Sequence, residues 1–471
     1  MSYPSEPLMS LPSDIRHSAP GIRSSRPRAL IIAEYCNPEW TSVPLVGWSH
    51  YQAIARRTGA HLVTQVRNRE AILRAGLVEG QDFTAIDSEK VAGPAFRIGE
   101  MLSGGAGKGW TTKMVFNRFG RIYFERILWK LFEPRLRAKE FDVVHQLTPL
   151  SPTLPAKLAT RCRAVGVPFV WGPLNGGLPW PKGFEAAMRN EREWLSKVRG
   201  LHTMLPGYAS TRRNSSAILI GSMSTWSQMP ERYRDKCLYL PENAIDPERF
   251  SITRSHRAAK PTRVVFLGRI VPYKGLDILI DAAEPMLRSG DVTIDVIGDG
   301  PQRPELEAML ASRSLPGVRF LGHVGHDTLQ QTLATFDVLG FPSIREFGGA
   351  VALEAMALGV VPIVPDYGGL GELVTDATGW RIPMGTRDEL VTRFRATLSS
   401  IVADPSQVEE RSPRALRRAR EQFTWDAKAG SVIEVYEWLL GRRAKPQFAM
   451  PTPDLSPSDL SPSPVPEATG S

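Results

Sequence analysis

The chain has 471 residues, 42% of them hydrophobic and 23% charged, which is enough for two ordinary domains with sizeable cores. No apolar run reaches the ~18 residues of a spanning helix, and Cys36, Cys162 and Cys237 are too few and scattered for a disulfide framework or a zinc site. The formal charge of +9 suits a phosphate-bearing partner without choosing among nucleotide, anionic lipid and nucleic acid.

Residues 1–27 are rich in Ser and Pro and lack helix or strand periodicity, so they are expected to be disordered. They also lack the basic start and apolar core of a secretory signal, and a reducing cytoplasm is the expected home. The first strand is Arg28–Ala33 (RALIIA), followed by an amphipathic stretch over Val46–Arg57. Residues 108–139 carry nine Lys/Arg against two Glu. Within them Phe116, Phe119, Tyr123, Ile127 and Leu131 follow a spacing that marks one helix face. That face either packs on the core or rests on anionic lipid. Nucleic-acid binding is not expected, because the basic cluster carries no recognition motif and lies inside an α/β domain.

Strands follow at FDVVH (141–145), PFVW (168–171) and AILIG (217–221). From Arg263 the rhythm is cleaner: RVVFL precedes LDILIDAAEPML, VTIDVIG precedes PELEAML, DVLGF precedes AVALEAMAL, and VPIV precedes LGELV. Strand and helix in steady alternation mean parallel sheets with helices on both faces. The expected fold class is therefore α/β, with two Rossmann-like domains over 28–245 and 262–428, a linker over 246–261 and a cleft between them. The Pro/Ser-rich segment 445–471 is expected to be a disordered tail.

Several phosphate and metal motifs fail. GGAGKG (104–109) lacks the Gly at 102 and the Ser/Thr at 109 that a phosphate loop needs. No GxGxxG follows the first strand of either half, and no Asp-x-Asp pair is present to hold a divalent cation. His323 and His326 have no third ligand, so no metal or other cofactor is expected.

A better constellation lies in the second half. In FLGRIVPYKG the strand ending at Leu267 runs into a turn with Gly268, Arg269, Lys274 and Gly275. Ligands of open parallel sheets bind at the C-terminal strand edges, where two such cations can converge on a diphosphate. In FPSIREFGGAVALEAMALG (341–359) a loop carries Glu346, and Gly348–Gly349 open a helix whose amides can meet a phosphate. Glu354 lies in a largely apolar segment of that helix, where a carboxylate needs a partner and is suited to sugar hydroxyls.

These residues, Arg269 and Lys274 with Glu346-x7-Glu354, resemble the retaining glycosyltransferases of the GT-B fold, the large group usually called family 4. VIGDGP (296–301), VRFLGHV (318–324), DYGGLGELV (366–374) and FTWDAKA (423–429) are similar to further motifs of that family. EYCNPEWTSVPLVGWSHYQAIA (34–55), with Gly47, resembles the acceptor-side loop and helix. VVHQLTPLSPTLP (143–155) and VPFVWGPLNGGLPWP (167–181) resemble bacterial members that build surface polysaccharides, and PENAIDPERF (241–250) stands in the linker's place. Residues 429–444 look like the closing helix that returns to the first domain.

The resemblance implies transfer of a sugar from a UDP- or GDP-sugar to a carbohydrate or lipid-linked acceptor hydroxyl, with retention and without metal. Arg269 and Lys274 would hold the diphosphate with Gly268 and the loop Glu346–Phe347–Gly348–Gly349, and Glu354 would hold the ribose. Glu346 would contact the donor sugar. His145, at the end of a strand, either faces the sugar or is a satisfied core residue, and Leu147 stands where many members carry a second histidine. The same architecture could serve a nucleotide-sugar 2-epimerase or a non-catalytic sugar-nucleotide-binding subunit. Retention of all four charged residues argues against the last.

Overall fold

The computed structural model describes residues 26–88, 110–181, 183–184, 206–254 and 260–451, with side chains at 110–119 and 326–327 left aside. The segments 1–25 and 452–471, and the GGAGKG stretch, lie outside the described residues.

The first sheet has seven strands: β1 (Arg28–Ala33), β2 (Gly59–Gln65), β3 (Phe83–Ile86), β4 (Val143–Thr148), β5 (Phe169–Leu174), β6 (Ala217–Ile220) and β7 (Cys237–Tyr239). The second has six: β8 (Thr262–Leu267), β9 (Val292–Ile297), β10 (Val318–Gly322), β11 (Val338–Gly340), β12 (Val361–Pro365) and β13 (Trp380–Ile382). Every pairing is parallel. The spatial orders are β3-β2-β1-β4-β5-β6-β7 and β10-β9-β8-β11-β12-β13. Both contain the doubly wound order in which the chain reverses direction beside its first strand. The crevices therefore open beyond β1 and β4 in one sheet, and beyond β8 and β11 in the other.

The first domain's helices are α1 (Val43–Ala55), α2 (Arg69–Arg74), α3 (Trp110–Arg137), α4 (Leu158–Ala164), α5 (Tyr208–Asn214) and α6 (Met223–Ser227). The second domain carries α7 (Leu276–Ser289), α8 (Arg303–Ser312), α9 (His326–Leu333), α10 (Ala350–Met356), α11 (Gly368–Leu373), α12 (Arg387–Ala403) and α13 (Ser406–Gln422). The chain ends its regular structure with α14 (Trp425–Leu439), which packs on α1. Thr424 caps α14 by accepting from the Ala427 amide, and Ala429, Val432, Val435 and Tyr436 enter the first domain's core beside Trp48, Tyr51 and Leu62. The last helix thus belongs by burial to the first domain, although it follows the second in sequence.

Helix α3 does not put the expected face on the core. Its buried stripe is Phe124, Leu128, Phe132 and Leu136, packed on Leu30, Ile32, Val144 and Phe169. Tyr123 and Ile127 are half-buried, and Leu131 is 50% exposed. Phe116 and Phe119 fall among the side chains outside the description. The two stripes share the same spacing one residue apart, so periodicity could not choose between them. Arg121 fastens the same helix inside the domain, 3.3 Å from Glu34 and 3.5 Å from Glu125. Burial pushes the Glu125 carboxyl up to about 7, against the pull of Arg121.

Candidate functional site

The second domain's crevice is built from two turns. After β8 the chain passes through Gly268 and Arg269 and a short 3-10 turn, Pro272–Lys274, before Gly275 starts α7. Gly275 has φ 73°, and a Cβ there would lie 2.4 Å from the Pro342 carbonyl oxygen. Only glycine permits both the left-handed backbone and this approach to the neighbouring turn. After β11, Phe341 and Pro342 lead into the loop 343–349 and then α10, which no side chain caps.

The two turns meet through charge. The Lys274 ammonium is ion-paired with Glu346, and it also lies 5.1 Å from the centre of the Phe341 ring. Both partners are mostly buried, with side chains 16% and 18% exposed. Gly268 lies beside the Phe341 ring. Arg269 points outward from the same turn, exposed, with no carboxylate partner among the described residues. Glu354 sits on α10, half-buried, and makes no hydrogen bond or ion pair among the described residues. Burial pushes its carboxyl up to about 7, opposed by the charge of Arg249. The crevice thus offers one unpaired cation, one paired cation and one carboxylate with free acceptor capacity.

His145 behaves differently. It is fully buried, its Nδ1 lies 2.6 Å from the Tyr436 hydroxyl, and its Nε2 lies 2.7 Å from the Gly172 carbonyl oxygen. Burial holds the imidazole down to about 4, so it is neutral at ordinary pH. With both ring nitrogens engaged by protein, His145 is the satisfied core residue of the two readings, and it does not present a free nitrogen to the cleft. It fastens α14 to β4. Gly47 is likewise a packing position: a Cβ there would lie 2.1 Å from the Tyr35 carbonyl oxygen and 3.2 Å from Thr148 Cγ2. It lets α1 sit close to the ends of β1 and β4.

The first domain reaches the crevice through residues that the sequence reading did not single out. Asn175, just past β5, donates to the Phe347 carbonyl oxygen at 2.9 Å. Trp180 stands edge-on to Tyr273 at 6.5 Å, with the Arg345 guanidinium 4.9 Å above its ring. Tyr367 donates to the Pro179 carbonyl oxygen at 2.8 Å. Glu372 on α11 accepts from the Met223 amide at 2.8 Å and from the Tyr239 hydroxyl at 3.1 Å. These contacts tie the segment after β5, α6 and β7 to the donor-side loops. The run WGPLNGGLPWP carried a visible signal, with three glycines and two tryptophans in a loop at a strand edge, but nothing local said what it would cover.

Two parallel-sheet domains with crevices facing one another, closed by a helix that returns to the first, make up the GT-B fold of glycosyltransferases. Solved structures agree in overall shape. Anabaena HepE, determined in complex with UDP, superposes with a TM-score of 0.57 over 87% of this chain and 99% of its own, at 15% identity. A glycosyltransferase from Rickettsia africae gives 0.57 over 89% and 100%, at 12% identity.

Residues 261–400 match the family model Glycosyl transferases group 1. Glycogen synthase of Mycobacterium tuberculosis is 32% identical over 213 residues, 44% of this chain and 50% of that protein. D-inositol 3-phosphate glycosyltransferase of Jonesia denitrificans is 35% identical over 185 residues, 37% and 42% of the two chains. The chain spans about half the length, or somewhat less, of these curated relatives.

Proposed function

We propose that this protein is a retaining glycosyltransferase that moves a sugar from a UDP- or GDP-sugar to an acceptor hydroxyl, without a divalent cation, in polysaccharide or glycolipid synthesis. The observation that carries this reading is the Lys274–Glu346 pair, which joins the turn after β8, where exposed Arg269 lies, to the glycine-containing loop that leads into α10, the helix of Glu354. The match of residues 261–400 to the group 1 family model and the UDP complex of the similarly folded HepE support the choice of donor class.

The chemistry follows from charge. As the glycosidic bond to the nucleoside diphosphate breaks, negative charge grows on the leaving phosphate. Arg269 and Lys274 meet it with fixed positive charge, together with the backbone amides of the 348–351 turn. Glu346, held by Lys274, faces the donor sugar, where its carboxylate orients a hydroxyl. Glu354 accepts from the ribose hydroxyls, replacing the hydrogen bonds that its burial has removed. The departing phosphate takes the acceptor's proton on the same face, so the new bond keeps the configuration of the old one and no protein nucleophile is needed.

The acceptor lies against the first domain. No described helix is long and apolar enough to cross a membrane. We place the enzyme on the cytoplasmic membrane surface, with Leu131, Tyr123 and Ile127 of α3 and the neighbouring Arg126 and Lys130 against anionic lipid, serving a lipid-linked acceptor. Thermal-shift and turnover measurements with UDP-, GDP- and ADP-sugars in the presence of EDTA test the donor. One nucleotide class should raise the melting temperature, and its release should require an acceptor, which separates transfer from epimerisation. Loss of turnover in EDTA, restored by Mg2+, would overturn metal independence. Binding to anionic vesicles should weaken with salt, and no binding at low salt would reject the membrane part.

A further inference from the structure

The loop that carries Glu346 is not held by its own domain alone. Glu242, in the segment between β7 and β8, lies against it: a Cβ added to Gly348 would fall 2.0 Å from Glu242 Oε1 and 2.1 Å from Asn243 Nδ2. Gly348 therefore exists in contact with a carboxylate that comes from outside the second domain. Glu242 Oε1 accepts from its neighbour Asn243 at 3.5 Å, and on the other side of the turn Asn175 donates to the Phe347 carbonyl oxygen at 2.9 Å. Asn175 is itself fixed, accepting from the Ser222 hydroxyl at 2.9 Å.

Behind Glu242 stands Lys428 of α14, 2% exposed, whose ammonium donates to the Pro241 carbonyl oxygen. Burial lowers the Lys428 pKa well below the ordinary range, and the charge of Glu242 counters that shift. Burial likewise pushes the Glu242 carboxyl up to about 7, with Lys428 and Asn175 opposing the rise and Glu346 adding to it. Asn175 and Glu242 thus reach the 346–349 turn from outside the second domain, and Lys428 of the closing helix holds the residue before Glu242.

We propose that Glu242 is a positioning residue for Glu346: with Lys428 fixing the neighbouring Pro241 carbonyl, its side chain packs on Gly348 and seats the 346–349 turn. The assignment rests on the glycosyltransferase reading and deepens it. Because Asn175, Glu242 and Lys428 lie outside the second domain's core, the donor turn is complete only when the first domain, linker and closing helix are docked. Domain closure and assembly of the donor site become one event. Removing Glu242 leaves Arg269 and Lys274 in place to grip the diphosphate, so the loss should appear in turnover rather than in nucleotide binding.

The test compares wild type with Glu242→Ala and Glu242→Gln in the full chain. Glu242→Ala should lower kcat by about 30- to 100-fold, the scale of a misplaced catalytic loop, while the Kd for the nucleoside diphosphate changes by less than about 3-fold. Glu242→Gln keeps the shape that packs on Gly348, and should recover most of the lost kcat. Hydrogen exchange of the 346–349 amides should quicken in Glu242→Ala, a readout independent of turnover. Unchanged kcat and exchange in Glu242→Ala overturn the proposal. So does a parallel loss of kcat, nucleotide binding and melting temperature in both variants, since that marks general destabilisation. A wild type that turns over no nucleotide sugar defeats the functional reading, and the exchange measurement then still decides whether Glu242 seats the turn.

Discussion

The two domains share a strand order and both carry titratable side chains, yet treat them in opposite ways. Beyond β8 and β11, Arg269 is exposed without a carboxylate, and Glu354 carries a half-buried carboxylate without a hydrogen bond among the described residues. In the first domain, His145, inside β4 and not at its end, has both ring nitrogens engaged, and Arg121 of α3 is enclosed between Glu125 and Glu34, the residue after β1. A buried polar group left without a protein partner loses its water and is destabilising unless something else binds there. The difference teaches where to look for a ligand: at residues whose hydrogen-bonding capacity the fold leaves open, more than at residue types that a motif favours.

The comparison can be broken most directly at Lys274. Lys274→Ala should lower kcat/KM by about 100-fold or more, the scale for removing a group that meets developing charge. The fold should stay intact at a lower melting temperature, because the loss is confined to the ion pair with Glu346, left without its cation, and to the contact with Phe341. Steady-state rates with the donor found by screening check this, and unchanged rates would remove Lys274 from the site.

His145 gives the opposite expectation. His145→Ala should destabilise the protein by about 2–4 kcal/mol in urea unfolding, since it leaves a cavity and strands the Tyr436 hydroxyl and the Gly172 carbonyl. Nucleotide affinity should hold within about 3-fold. A variant of full stability with lost turnover would move His145 to the reacting face and erase the contrast between the domains.

The smallest effect concerns pH. Glu354 has a folded pKa raised from 4.5 to about 7, so its proton favours the native state. That contribution is full below about pH 4.5 and falls away as the pH rises toward 7, leaving a buried carboxylate above it. Glu354→Gln removes the ionisation while keeping the shape. The variant should match wild type near pH 5 and exceed it by about 1–2 kcal/mol at pH 8, a value discounted for the group's partial exposure. Equal stability at both pH values would mean that water already satisfies Glu354, and would weaken its assignment to the ribose.

Much of the second domain was legible because its information is local. A strand, a glycine turn and a helix follow one another within a few residues, so Arg269, Lys274, Glu346 and Glu354 fall near one strand edge wherever the sheet forms. The parallel α/β architecture was legible for the same reason, through alternating strand and helix patterns. The choice between the two stripes of α3 was not, because both satisfy the helical period and only the sheet beneath decides which is buried.

The amino-acid order by itself determined the two parallel-sheet domains and the positions of the donor-side charges, since period and turn chemistry act over short stretches of chain. Tertiary structure alone decided that His145 would be consumed by Tyr436 and Gly172, and that Asn175 and Glu242 would converge on one turn with Lys428 holding Pro241. Those contacts join segments far apart in sequence, and a hydrogen bond or charge pair depends on distance in space, which no local pattern encodes.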